Sequence, residues 1–184
     1  AGLAAMGGVA VMKTLHFQSV FVGGCGTAAG PMEAQGPLKD KIDKLFDDIY
    51  CEEKTYEQAE RRLMSEACDH ALRAQGCKTS DLDLILGGDL LNQLGTSHYF
   101  ARDLEIPFIG LYGACSNSTL IAANAAMWID SGHAERVLGL TSSHNATAER
   151  QFRYPNEYGV QKPETTTYTV TGAGAMIFQH EKTP

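Results

Sequence analysis

The sequence predicts an α/β fold with a mostly parallel mixed sheet and helices on both faces, and three observations carry that prediction. Short β-prone runs alternate along the chain with segments of helical periodicity. One Ala-rich segment has apolar residues around several faces, as a helix packed on more than one side does. Glycines recur where strands would end and the backbone must come close to a helix or a ligand.

The elements follow in order. His16 to Val22 reads as a short strand, and the glycine-rich Gly23 to Pro31 reads as the loop it enters. Pro37 to Glu53 is charged and interrupted, with a short helix expected near Lys41 to Ile49. From Tyr56 to Gln75, Ala59, Leu63, Ala67 and Ala71 recur every fourth residue, which predicts a helix that Gly76 stops. Glu57 with Arg61 and Asp69 with Arg73 are expected as exposed pairs on it. Leu82 to Leu86 predicts a buried strand, Thr96 to Leu104 a short helix and Ile106 to Tyr112 another strand. Ser116 to Ser131 predicts the central Ala-rich helix, ended by Gly132. Arg136 to Thr141 returns as a strand, and Val170 to Phe178 is the last strand after a long polar segment.

With 184 residues, 43% hydrophobic and 20% charged, the chain suits one compact domain. Fifteen basic against 22 acidic residues give a net charge of −7, which disfavours nucleic acid and anionic lipid headgroups and favours a small ligand or a protein partner. Five cysteines without CxxC spacing suggest neither a disulfide framework nor a zinc site. His16, His70, His98, His133 and His180 share no metal-ligand spacing, so no metal and no cofactor are expected. Residues 1–12 are apolar without a basic leader, and are read as an extension or expression remnant. No stretch is long and apolar enough to span a bilayer.

Gly113-Ala114-Cys115-Ser116-Asn117-Ser118 places Cys115 between the carboxyl end of a strand and the amino end of the Ala-rich helix, a position that faces ligand in α/β folds. Free N–H groups and the positive helix end favour a thiolate there, or a bound ligand carboxylate. The alternative is a small apolar cysteine buried under the helix. Cys25, Cys51, Cys68 and Cys77 have no comparable context.

The strand-Gly-Ala-Cys-Ser-helix turn resembles the nucleophile turn of thiolases and β-ketoacyl-acyl carrier protein synthase III. Thr171-Gly172-Ala173-Gly174-Ala175 is similar to the Gly-Ala-Gly-Ala strand of that superfamily. The resemblance implies a thiolase-like amino-terminal half over residues 13–184. A narrower likeness lies in Ala28-Ala29-Gly30-Pro31, in Gly88-Asp89-Leu90-Leu91-Asn92-Gln93 and in the run from Thr141 to Pro155, continuing through Glu157-Tyr158-Gly159 and Gln161-Lys162-Pro163. These resemble the stage V sporulation protein AD family.

That resemblance implies a thiolase-like protein that binds pyridine-2,6-dicarboxylic acid (dipicolinic acid) and serves its uptake into the developing spore. It implies a peripheral place at the cytoplasmic side of the developing spore's inner membrane, with the other stage V sporulation A proteins as partners and no nucleic acid. A flat ring with two carboxylates calls for apolar or aromatic walls and donors at two separated points. The candidates are Cys115 and Ser116 at the helix entrance, His144 and Asn145, and Arg150 or Arg153 for a carboxylate, with Tyr154 and Phe152 as a wall. Arg150, Arg153 and the aromatics serve equally well as packing over the sheet, and a loop histidine such as His144 is more often structural. Asp89 and Asn92 contact ligand or, by default, close a turn.

An acyl-transferring condensing enzyme would carry its acyl group on Cys115, but the superfamily's proton-moving partners come from the second half of the fold, so a noncatalytic binder is expected. An assembly module whose pocket needs a partner is a further alternative. The resembled fold buries its central helices between two similar halves, so a homodimer or a complementing half-chain is expected over the Ser116 to Ser131 helix.

Overall fold

A single long helix, α1 (Tyr56–Gln75), organises the structure, and its sequence accounts for both of its ends. The Thr55 side chain accepts a hydrogen bond from the Gln58 N–H at 3.2 Å, satisfying one of the orphan donors of the first turn. Gly76 closes the other end in the left-handed region at φ 73°, where a side chain would be strained. Two neighbouring rows of residues spaced by four are buried along it. One is Ala59, Leu63, Ala67 and Ala71, and the other is Glu60, Met64, Cys68 and Leu72. The pairs expected along its surface do not form. Glu57 meets Arg150 and Arg61 meets Asp103 at 3.3 Å, while Arg62 takes Glu66 at 2.7 Å as the pair at helical spacing. Arg150 and Asp103, both outside this helix, take the place of the helix neighbours expected for Glu57 and Arg61.

The computed structural model describes residues 14–91, 94–152 and 168–180, with Phe152 described by its backbone only. Among the described residues, six strands form one sheet. These are β1 (Phe21–Ala29), β2 (Lys44–Leu45), β3 (Leu84–Asp89), β4 (Phe108–Gly110), β5 (Arg136–Ser143) and β6 (Gly172–Gln179), and their spatial order is β2-β1-β6-β5-β3-β4. The pairs β1–β2, β3–β4 and β3–β5 are parallel, whereas β6 runs antiparallel to both β1 and β5. The other helices are α2 (Gly95–Leu104), α3 (Asn117–Asp130) and α4 (Asn145–Phe152).

Alternation along the strands divides the core in two. Ile85, Leu138, Leu140 and Ile177 face α1 and Phe100 of α2, whereas Leu84, Leu86, Val137 and Phe178 face Ile121, Ala125 and Ile129 of α3. Helices therefore cover both faces. Each fully buried side chain of this size contributes about 1.5–3 kcal/mol.

Two expectations are corrected. The glycine-rich segment read as a loop belongs to β1, and of the strand expected from His16 to Val22 the part from His16 to Val20 lies outside any strand. A Cβ on Gly26 would stand 2.1 Å from the Ala67 carbonyl oxygen, so glycine serves here to bring α1 down onto the strand. The helix expected near Lys41 to Ile49 is absent. A 3-10 turn at Lys39–Lys41 leads into β2, held by Asp43, whose Oδ2 accepts from the Thr27 N–H at 2.8 Å and hydroxyl at 2.7 Å. Residues 1–12, read as an extension, lie outside the described residues.

Candidate functional site

The C-terminal ends of β3 and β5, the end of β1 and the start of β6 converge on one edge of the sheet, where α3 begins. An open cleft of about 770 Å³ occupies this edge. This is the place an α/β sheet offers to ligands, because strand ends diverge and helix N-termini point inward.

Its floor is the turn from β4 into α3. Ala114 is held at φ 46°, a conformation a non-glycine residue adopts at a cost of about 1–3 kcal/mol. Asn117 holds the turn from beneath. It is buried, its Oδ1 accepts from the Gly113 N–H at 3.1 Å, and its Nδ2 donates to the Thr141 hydroxyl at 3.2 Å. This works only because Gly88 lacks a side chain. A Cβ there would lie 2.1 Å from the Leu111 oxygen and 2.3 Å from Asn117 Nδ2. Cys115 is thereby exposed in the cleft beside Ser118 of the first turn of α3. Ser116 is exposed, and its hydroxyl turns back to donate to the Gly113 carbonyl at 2.7 Å.

The far wall is a strap, residues 168–171, that places Tyr168 against the cleft. Side chains hold it almost entirely. Ser143 Oγ donates to the Val170 carbonyl at 2.6 Å, Asn145 Nδ2 donates to the Thr169 carbonyl at 3.1 Å, and Glu149 accepts from the Thr169 N–H at 3.3 Å. Glu33 Oε1 accepts from the Thr171 N–H at 3.1 Å, while its buried Oε2 has no hydrogen-bond partner among the described residues. Leu38, Ile42 and Leu90 add apolar surface.

The predicted residues separate into groups. Cys115 lines the cleft, and Ser116 and Asn145 support it. His144 does not line it. Its ring is buried, with Nε2 2.7 Å from the Ile49 carbonyl and Nδ1 accepting from the Ala146 N–H at 3.1 Å, so the neutral ring caps α4. Burial holds its pKa below the usual histidine range. Arg150 pairs with Glu57 on the surface of α1. Arg153, Tyr154, Asn92 and the Phe152 side chain lie outside the described residues. Asp89 closes a turn. Its oxygens accept from the Leu91 N–H at 3.0 Å and from the Ser97 N–H and hydroxyl at 2.8 Å each, capping α2, whose own N-cap residue contributes no side-chain bond.

Sequence reasoning missed Glu33, Tyr168 and, behind the wall, Glu60. Glu60 is fully buried on α1, and its Oε1 accepts from the Ser142 hydroxyl at 2.8 Å and its Oε2 from the Thr147 hydroxyl at 3.3 Å. Burial is the main cause that pushes its pKa up to about 7. The signal was present, because Glu60 heads the row continued by Met64, Cys68 and Leu72.

Solved structures with the same fold include 3-oxoacyl-[acyl-carrier-protein] synthase III from Aquifex aeolicus VF5, which is 19% identical with a TM-score of 0.60 over 89% of this chain and 55% of that one. A variant of OleA from Xanthomonas campestris is 14% identical with a TM-score of 0.61, over 91% and 60% of the two chains. At these identities the likeness establishes the thiolase-like fold alone. Among curated proteins, stage V sporulation protein AD of Bacillus subtilis (strain 168) is 54% identical over 158 residues, 86% of this chain and 47% of the relative, so the chain spans about half that relative's length. The family model described as stage V sporulation protein AD matches residues 11–184. A match of that extent, joined to a 54% identical relative, makes this chain a member of the stage V sporulation protein AD family.

Proposed function

We propose that this chain binds dipicolinic acid in the cleft, as the noncatalytic ligand-binding part of a spore dipicolinate uptake system. In this reading it sits at the cytoplasmic side of the developing spore's inner membrane, held there by other stage V sporulation A proteins. None of the described helices is long and apolar enough to cross a membrane, which fits a peripheral attachment.

The observation that carries the ligand assignment is the pairing of the first turn of α3 with apolar surface and Tyr168 across a cleft of about 770 Å³. A flat aromatic ring fits against Tyr168 and Leu38, and one carboxylate meets the N-terminal end of α3. Among the described residues no Lys or Arg lines the cleft, so recognition of the acid falls on backbone donors and hydroxyls such as Ser118 and Thr141.

Calorimetric titration of dipicolinate, with benzoate as the control for a single carboxylate, tests this in the parent chain and in Ser118→Glu. An acidic residue in the first turn suits the helix dipole, so the variant keeps its fold while repelling an anion from the cleft. The expected result is selective dipicolinate binding that weakens by about tenfold or more in the variant, a cost of about 1.4 kcal/mol or more. Equal binding by both proteins moves the site elsewhere, and absence of binding by the parent sinks the reading.

A second reading, acyl transfer through Cys115, is favoured by the exposed thiol at the turn strained at Ala114. Incubation with an acyl-coenzyme A followed by mass spectrometry decides it. A thioester on Cys115 supports transfer, and an unmodified thiol supports binding alone.

A further inference from the structure

We propose that binding of an anion in the cleft is coupled to uptake of one proton by Glu60, the buried acid directly behind the cleft wall. This rests on the reading that the ligand is an acid. The cleft and its backing are acidic. Glu33 and Asp89 are the charged side chains among its described lining, and no cation accompanies them. An anion arriving there adds like charge, which drives a group close by that is able to take a proton to do so.

Glu60 is that group by geometry. Ser142 lines the cleft on one side and donates to Glu60 Oε1 at 2.8 Å on the other, so one serine separates the acid from the ligand space. Its surroundings also suit both protonation states. Thr147 Oγ lies 3.3 Å from Glu60 Oε2 and 3.1 Å from the His144 carbonyl. With Glu60 ionised, the threonine proton points to the carboxylate. With Glu60 protonated, the acid proton points to Thr147 Oγ and the threonine proton turns to the His144 carbonyl. Both oxygens of Glu60 and the Thr147 hydroxyl keep a partner in either state, so the change needs rotation of one hydroxyl and no movement of the backbone.

The ionisable groups on the surrounding elements are few. Asp89 at the end of β3 acts on Glu60 by its negative charge. From α2 comes the Thr96 hydroxyl, which favours the ionised acid, while the Ser97 hydroxyl is held by Asp89. At α4, the neutral His144 ring is occupied by Ile49 and Ala146, and Glu149 by Thr169. On α1 itself, Glu57 and Arg61 pair outward with Arg150 and Asp103. No cation among these holds Glu60 ionised, and its pKa of about 7 puts the exchange in the neutral range. Linkage then runs both ways. Anion binding raises the proton affinity of Glu60, and affinity for the anion falls as pH rises.

The test is calorimetry of dipicolinate in buffers of different ionisation enthalpy, which counts protons exchanged, repeated from about pH 6 to about pH 8, a range in which the carboxyls of the ligand are ionised throughout. The parent chain is expected to take up a substantial fraction of a proton near neutrality and to lose about tenfold in affinity across the range. Glu60→Gln is expected to exchange none and to bind with a flat pH profile. No uptake by the parent, or the same uptake in Glu60→Gln, overturns the inference while leaving dipicolinate binding in place. Loss of the uptake in Glu33→Gln but not in Glu60→Gln also overturns it. No dipicolinate heat at any pH overturns the functional reading and this inference with it.

Discussion

Five thiols share this chain, and their surroundings set them apart. Burial raises Cys51 and Cys68 to about 12, and burial with the charge of Asp43 also raises Cys25. Cys115 is exposed in the cleft. Limited treatment with iodoacetamide at neutral pH is therefore expected to modify Cys115 first, with dipicolinate slowing it severalfold, as peptide mass spectrometry will read. Labelling of Cys115 at the same rate with saturating ligand would remove the ligand from the α3 turn. Glu60 makes a second prediction at this scale. Its folded pKa is raised, so between about pH 4.5 and about pH 7 the native state binds more protons than the unfolded chain, and stability contributed by this group is lost as pH rises through that window. A shift from 4.5 to about 7 corresponds to about 3 kcal/mol. Glu60→Gln is expected to unfold at higher denaturant than the parent at pH 8, with the advantage shrinking toward pH 5. His144, with its lowered pKa, loses stability as pH falls, but it is common to both proteins and cancels in the difference. Residue roles were the least legible part of the sequence. Cys115 was visible because its turn has a pattern, whereas the role of His144 depends on Ile49, 95 positions away.

At the scale of elements, helices were more legible than strands, for a physical reason. The periodicity of α1 and the stop at Gly76 are local, and the observed Tyr56–Gln75 matches the expected range. β1 is hard to read because Gly23, Gly24 and Gly26 carry the composition of a turn, whereas their purpose is contact with α1. The close approach gives a prediction. Gly26→Ala places a Cβ 2.1 Å from the Ala67 oxygen and 2.5 Å from the Ala71 nitrogen, both backbone atoms that move only with the helix. The expected loss is about 2–3 kcal/mol, seen as a fall in Tm of about 5–10 °C. An unchanged Tm would show that α1 can lift from β1 without penalty. Nothing local announces α4, because the residue before it, His144, caps it through its ring and carbonyl contacts rather than as a familiar N-cap residue.

At the scale of the whole molecule, the fold class was readable from alternation, but strand order was not. Nothing local says that β6, the last strand, inserts antiparallel between β1 and β5. The surface that this order leaves open can be tested. α3 buries Ile121, Ala125 and Ile129 against the sheet, while Met127 is 45% and Trp128 36% exposed on its other side. A second copy of the chain, or a chain supplying a similar half, is expected to cover this face, since exposed apolar surface of this kind drives association. The single tryptophan of the sequence is Trp128, so its fluorescence reports on that face alone. On concentration, emission should shift to the blue in step with a rise in sedimentation coefficient. Met127→Gln with Trp128→Tyr should weaken the association by about tenfold or more, as expected when a central aromatic anchor is trimmed. A chain that remains monomeric at every concentration, with unshifted emission, would mean that α3 tolerates water on this side and that the cleft works without a second half against it.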